Sequence, residues 1–355
     1  MGFPKVSIIF RGIATSAIKR SQRGVVCLLL SDTNASVTEM ASIADMPATL
    51  SDTNKKYVQD AFVGGTSVPR KVIVVTTTAA DATANYVAAL KVLETMTYDY
   101  LAVPGIASAA TAMIVSFVKS QRETKKRTVK VVLPNTAADH EGVINFATDN
   151  IVVGANTYSA SQYCARIAGI LAGTPMTAST TFFSLPEVDN VPALTDDEKD
   201  AACDAGKLII VNDGRKCKIA KGVNSLTTLS AEKPAVFKKI KIVDILDLIA
   251  DDVRHTCEDN YIGKVINDYD NVCLLIAAIN GYFEELALQG LLAKNQNSTE
   301  FDVAAKTAYL KGIGKYVDGM NDLAVKLAVS GDKVFLKCSI TPLDVMEEIN
   351  IVIGL

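Results

Sequence analysis

The sequence predicts an α/β protein with a largely parallel sheet, followed by an α+β C-terminal part. Three observations carry that expectation. Strand-like and helix-like segments alternate from about 82 to 220, long amphipathic helices take over after 235, and pleated runs close the sequence in VFLKCSITPLDVMEEINIVIGL, 334–355. Strands alternating with helices of this length imply βαβ units.

Taken in order, the first 24 residues hold Lys5, Arg11, Lys19, Arg20 and Arg23 and no acid, so they read as an extended arm with a short strand in KVSIIF. The apolar run VVCLLL (25–30) opens the first globular region, and NKKYVQDAFVGGTSVPRKVIVV (54–75) predicts a helix, a Gly-rich turn and a strand. Helices are expected at 82–96, 107–121, 159–172 and 195–204, with strands in YDYLAVPG, TVKVVLP and GKLIIVND between and after them. The last of these helices has Thr195 as N-cap and Glu198 three residues on, a capping box. Beyond 235, Ile242, Ile245, Leu246, Ile249 and Val253 repeat at helical spacing, and so do Val272, Leu275, Ile276, Ile279, Phe283 and Leu286. Strands at 332–341 and 346–354 complete the reading. The domain division expected is an arm at 1–24, a small α/β or β-rich domain at 25–95, an α/β domain at 96–230 and an α+β domain at 231–355.

Composition excludes several function classes. With 355 residues, 49% hydrophobic and 21% charged, the chain is globular rather than disordered. A net charge of -3 supplies no basic field for a nucleic acid or a membrane surface, and neither is expected as a partner. Seven cysteines stand singly with no CxxC, which reads as reduced thiols. The start MGFPKVSIIFRG lacks the pattern of a signal peptide. The uncharged windows 100–118 and 167–186 are broken by Pro and Gly, so no membrane helix is expected there.

A search for chemistry returns little. His140, in AADHEG, and His255, in DDVRHTCEDNY, are read as solvated or capping histidines, because neither has a second ligand at metal-binding spacing. GGTSVP at 64–69 imitates a serine-nucleophile turn, but Ser67 precedes both histidines, whereas a subtilisin-like enzyme places its serine last. No P-loop and no G-x-G-x-x-G after a strand is present. Glu284–Glu285 and Glu347–Glu348 are adjacent in sequence and do not share a face. No catalytic residue, cofactor or metal is therefore assigned. Lys233, Lys238, Lys239 and Lys241 crowd KPAVFKKIKIVD, which is either a solvated helix start or a docking patch for an acidic neighbour.

Several longer stretches then carry a resemblance. AFVGGTSVPRKVIVV, ARIAGILAGTPMTASTTFFSLPEV, AGKLIIVNDGRKCKIAKGVNSLTT and the closing ITPLDVMEEINIVIGL resemble the contractile tail sheath proteins of phages and R-type tailocins, over most of the chain. The resemblance implies a subtilisin-like α/β middle domain (96–230) that has lost its triad. It also implies subunits that form six-membered rings stacked around an inner tube, linked by terminal strands added to a neighbour's sheet. Such a sheath is assembled extended and shortens on triggering, drives the tube through an envelope and consumes no nucleotide. The implied partners are other copies of the chain, the tube protein, and baseplate and terminator proteins. The implied location is a virion or tailocin particle assembled in the host cytoplasm. On this basis Val6, Ser7, Ile8, Ile9 and Phe10, with Glu348, Ile349, Asn350, Ile351, Val352 and Ile353, are the candidate linking strands. Lys238, Lys239 and Lys241 are the candidate tube contacts. An α/β hydrolase-like enzyme and a different self-assembling tube or shell protein are the alternatives.

Overall fold

A computed structural model describes residue 18, residues 23–78 and residues 83–354. It divides into two units, one built on 23–248 with 344–354 and the other on 249–343.

The first unit grows from one buried strand. β1 (Val25–Ser31) is apolar without alternation, the signature of a strand covered on both faces. Its odd and even residues go to different cores. Val26, Leu28 and Leu30 enter one cluster, whereas Val25, Cys27 and Leu29 enter the other. Around it stand β2 (Ser36–Met40), β3 (Lys71–Thr77), β4 (Tyr100–Ala102), β5 (Lys130–Pro134), β6 (Val143–Phe146) and, beyond the short hairpin of β7 (Ile151–Val153) and β8 (Asn156–Tyr158), β9 (Lys207–Leu208). The sheet order is β2-β3-β1-β4-β5-β6-β9, and every pairing is parallel except β2 with β3.

Helices cover both faces. α1 (Asp52–Val63) sends Tyr57, Val58, Ala61 and Phe62 into the first core, while α2 (Thr83–Leu93) and α3 (Ser108–Lys119) fill the second with Tyr86, Leu90, Leu93, Ile114 and Phe117. α4 (Ala160–Ala172) shares the first core with α1. The two helices pack closely because Gly169 has no Cβ; one added there would stand 2.2 Å from the Ala61 carbonyl oxygen. At the end of α4, a Cβ on Gly173 would stand 2.0 Å from the Ser67 carbonyl oxygen. The quoted motifs GGTSVP and AGILAGTP are thus two halves of one close backbone contact. α5 (Asp196–Asp204) starts at the expected capping box, with Thr195 accepting from Glu198 N–H.

Several expectations change. The sheet runs unbroken from β1 and β3 into β4 and β5, so no domain boundary falls at 95/96; the parallel strands share cores that no linker divides. The strand expected in GKLIIVND is two, because Ile210 N–H donates to the Thr148 hydroxyl and the chain turns from β9 into β10 (Ile210–Asn212). β10 pairs antiparallel with β11 (Cys217–Ile219) around Gly214, whose φ of 83° suits the turn.

α6 (Ile240–Asn260) runs through the point at which the two units divide. The second unit continues with α7 (Tyr269–Leu288), β12 (Ser298–Phe301), α8 (Val303–Gly312), α9 (Asp322–Leu327) and β13 (Leu336–Ser339). Within this unit Tyr282 Oη of α7 donates to buried Asp252 of α6 at 2.6 Å. β12 and β13 form an antiparallel two-stranded sheet.

The Gly169 contact is testable. Gly169→Ala forces the α1 backbone aside and is expected to cost about 1–3 kcal/mol in urea denaturation. Gly281→Ala, on an exposed helix position with no atom near the added methyl, is expected to add about 0.5–1 kcal/mol.

Candidate assembly interface

The residues that mimic catalytic groups have structural duties. Ser67 Oγ donates to the Gly173 carbonyl at 3.0 Å, pinning the 64–69 turn to the end of α4. His255 is exposed on α6. His140 is not solvated, as the polar loop around it suggested, but buried. Its Nδ1 accepts from Gly142 N–H at 2.9 Å, so the neutral ring carries its proton on Nε2, 3.3 Å from Glu123 and 3.8 Å from Glu141. Burial pushes its pKa below the ordinary value, against the pull of Glu141. Among the described residues no group of three or more His, Cys, Asp or Glu is placed to hold a metal.

A charge cluster lies beneath the start of α6. Lys130 of β5 is 1% exposed, and its Nζ lies 2.7 Å from Asp247 and 2.9 Å from Asp244. Arg122 grips Asp247 through two nitrogens at 2.8 and 3.0 Å, and Tyr100 Oη donates to Asp244 at 2.6 Å. Burial disfavours the charged form of each. For Asp244 burial prevails and its pKa is raised, whereas Lys130 and Arg122 hold Asp247 below its usual range. Losing one partner of such a set costs about 3–5 kcal/mol, because a buried charge is left uncompensated. Sequence reading missed the cluster. Its signals were a lysine inside the apolar strand TVKVVLP and two aspartates three apart in IVDILDL, one helical turn.

The lysines expected to meet a tube are occupied within the chain. Lys238 Nζ donates to the Asp204 carbonyl at 3.3 Å. Lys239 Nζ pairs with Asp344 and, at 2.8 Å, with Glu347. Lys241 is buried, and burial lowers its pKa.

The C-terminal stretch behaves differently. It is tied to the second unit as far as Leu343, whose N–H donates to the Leu291 carbonyl. From 346 to 354 it belongs to no strand, contrary to the sequence reading. Ile349, Ile351, Val352 and Ile353 are between 72% and 97% exposed. Among the described residues β13 pairs with β12 alone, so an edge of that sheet is unpaired. Val6, Ser7, Ile8, Ile9 and Phe10 lie outside the described residues.

Comparison with known proteins decides the family. Residues 79–225 match the phage tail sheath protein central domain, and residues 232–354 match the phage tail sheath C-terminal domain. The tail sheath protein of Clostridium phage phiCD119 is 38% identical over 99% of this chain and 98% of its own length. The chain belongs to the phage tail sheath family. As a tail sheath subunit it also shares its fold with solved structures. The sheath tail protein Lin1278 from Listeria innocua matches with a TM-score of 0.68 at 19% identity, over 81% of this chain and 90% of that one. The helical sheath of the anti-feeding prophage in its contracted state matches with a TM-score of 0.71 at 13% identity, over 100% and 99%. These relatives are structural components of phage or phage-like particles.

His140 offers a pH test of this sheath subunit. Its pKa is lower folded than unfolded, so the unfolded chain binds the proton first. The stability it contributes is complete above about pH 6.5 and is lost as pH falls below that value. His140→Asn keeps an acceptor for Gly142 but does not titrate. The drop in Tm from about pH 7.5 to about pH 5.5 is expected to be smaller in the variant than in the unsubstituted protein, by differential scanning calorimetry.

Proposed function

We propose that this sheath subunit assembles as six-membered rings stacked around an inner tube, with neighbouring copies linked by exchanged terminal strands. The sheath shortens from a metastable extended state and drives the tube through a target envelope. The observation carrying this reading is the exposed run Glu348–Ile353, which alternates Ile349, Ile351 and Ile353 and belongs to no strand among the described residues, together with the two-stranded β12–β13 sheet, which has no third strand among those residues. An added strand satisfies backbone donors and acceptors, and alternate side chains supply specificity. Five ladder hydrogen bonds at about 0.5–1.5 kcal/mol give roughly 2.5–7 kcal/mol per strand, and each buried Ile adds about 1.5–3 kcal/mol. Links of that size persist while weaker lateral contacts slide.

The same reading gives Val6, Ile8 and Phe10 as the inward face of the second linking strand. The α/β unit is a subtilisin-like layer without a triad, and the subunit is a structural protein rather than an enzyme; Ser67 bound to a carbonyl and His140 buried at Nδ1 support this. Tube, baseplate and terminator proteins are its partners, in a particle assembled in the host cytoplasm.

Removal of residues 349–355, and separately of residues 1–20, is expected to abolish sheaths of normal length, measured by sedimentation and electron microscopy of particles. Normal-length sheaths from either truncation would overturn strand exchange.

A further inference from the structure

We infer that Lys239 and Thr181 form a cradle for the acidic root of the C-terminal segment, setting where the exchange strand leaves its own subunit. The inference rests on the strand-exchange reading and adds to it a fixed point of departure.

The cradle draws on separate stretches of the first unit. Thr181 Oγ1 donates to one oxygen of Glu347 at 2.7 Å and accepts from Gly222 N–H at 3.0 Å. Lys239 Nζ donates to the other oxygen of Glu347 at 2.8 Å and also pairs with Asp344. Lys239 is positioned by its backbone, which bridges Val223 at the start of α6. Thr181 is followed by Phe182, a bulky residue at φ 58°. That backbone is disfavoured for a bulky side chain, and it is held by Phe182 N–H donating to the Ile219 carbonyl and by Lys218 Nζ 4.0 Å above the ring.

Burial along the segment follows the same division. Glu347 is 13% exposed at its side chain, whereas Met346 on one side is 89% exposed and Ile349 beyond it 72%. Asp344 and Glu347, three residues apart, reach one ammonium, and residues 349–354 belong to no strand among the described residues. A root fixed by charge with a free apolar tip loses less conformational freedom on meeting a neighbour than a segment loose from Leu343 onward, which favours binding.

The test compares K239E, T181V, the charge-swapped K239E/D344K/E347K and a protein truncated after Glu348, each scored for sedimentable sheath and for Tm. Charge-assisted hydrogen bonds of this kind shift an equilibrium by about tenfold. K239E is therefore expected to lower the assembled fraction about tenfold, T181V by a smaller factor, and the charge swap to recover assembly, with Tm lowered only slightly for T181V, which also loses the acceptor of Gly222 N–H. Normal assembly of both K239E and T181V while the truncation fails would overturn the cradle and leave strand exchange standing. No recovery in the charge swap would equally overturn it. Normal assembly of the truncation would instead remove the strand-exchange reading beneath it. Should K239E not fold, T181V decides.

Discussion

A single ammonium sealed inside the α/β unit organises much of what surrounds it. Lys130 projects from the parallel sheet with 1% exposure, and only Asp244 and Asp247 make that burial tolerable. Both carboxylates ride on α6, so neutralising the lysine fastens the first turns of α6 against β5. Arg122 and Tyr100 then meet the remaining lone pairs of the two aspartates. One turn upstream, the same helix start carries Lys239, which holds Asp344 and Glu347. The start of α6 is therefore flanked by two sets of paired charges, one in the sheet and one at the root of the C-terminal segment. Hydrophobic packing alone would hold α6 on the sheet without specifying its rotation or register. Paired charges in a dry setting specify both.

The two kinds of backbone closeness divide the molecule between rigidity and exchange. Inside, Gly169 and Gly173 bring backbone against backbone with no room for a methyl group, which locks α1, α4 and the 64–69 turn together. At the C-terminal end, the backbone beyond Glu348 has no ladder partner among the described residues, and its apolar side chains are exposed. Exposed apolar residues on an unpaired segment are a liability in an isolated protein and an asset in one that assembles.

Catalytic imitation in this chain has a physical explanation. A serine in a tight Gly-rich turn and a histidine between acids look like chemistry when read as letters. In the fold, the hydroxyl of Ser67 closes a turn onto Gly173, and the ring of His140 closes a turn onto Gly142 while lying buried beside Arg122, Glu141 and Lys233. The Ser67 hydroxyl and His140 Nδ1 are each engaged by a local hydrogen bond to the backbone.

Much of the architecture was legible because it rests on local rules. The unbroken run VVCLLL announced a strand covered on both faces, the Thr195–Glu198 spacing announced a helix start, and the stripes of α6 and α7 announced helices that bury one side. The family words GGTSVP and AGILAGTP were also readable, although why they belong together was not. What depends on residues far apart in sequence needed the fold. Lys130 and Asp247 are separated by 117 positions, and Lys239 and Glu347 by 108, so neither pairing leaves a periodic trace. For the same reason 25–95 looked like a domain by itself although its strands share one sheet with β4 and β5. By itself the sequence determined the types of the elements, their caps and which faces are apolar, because those follow from neighbours along the chain. Only the tertiary structure decided which charges are buried together and which backbone is left without a partner, because both are settled by proximity in space.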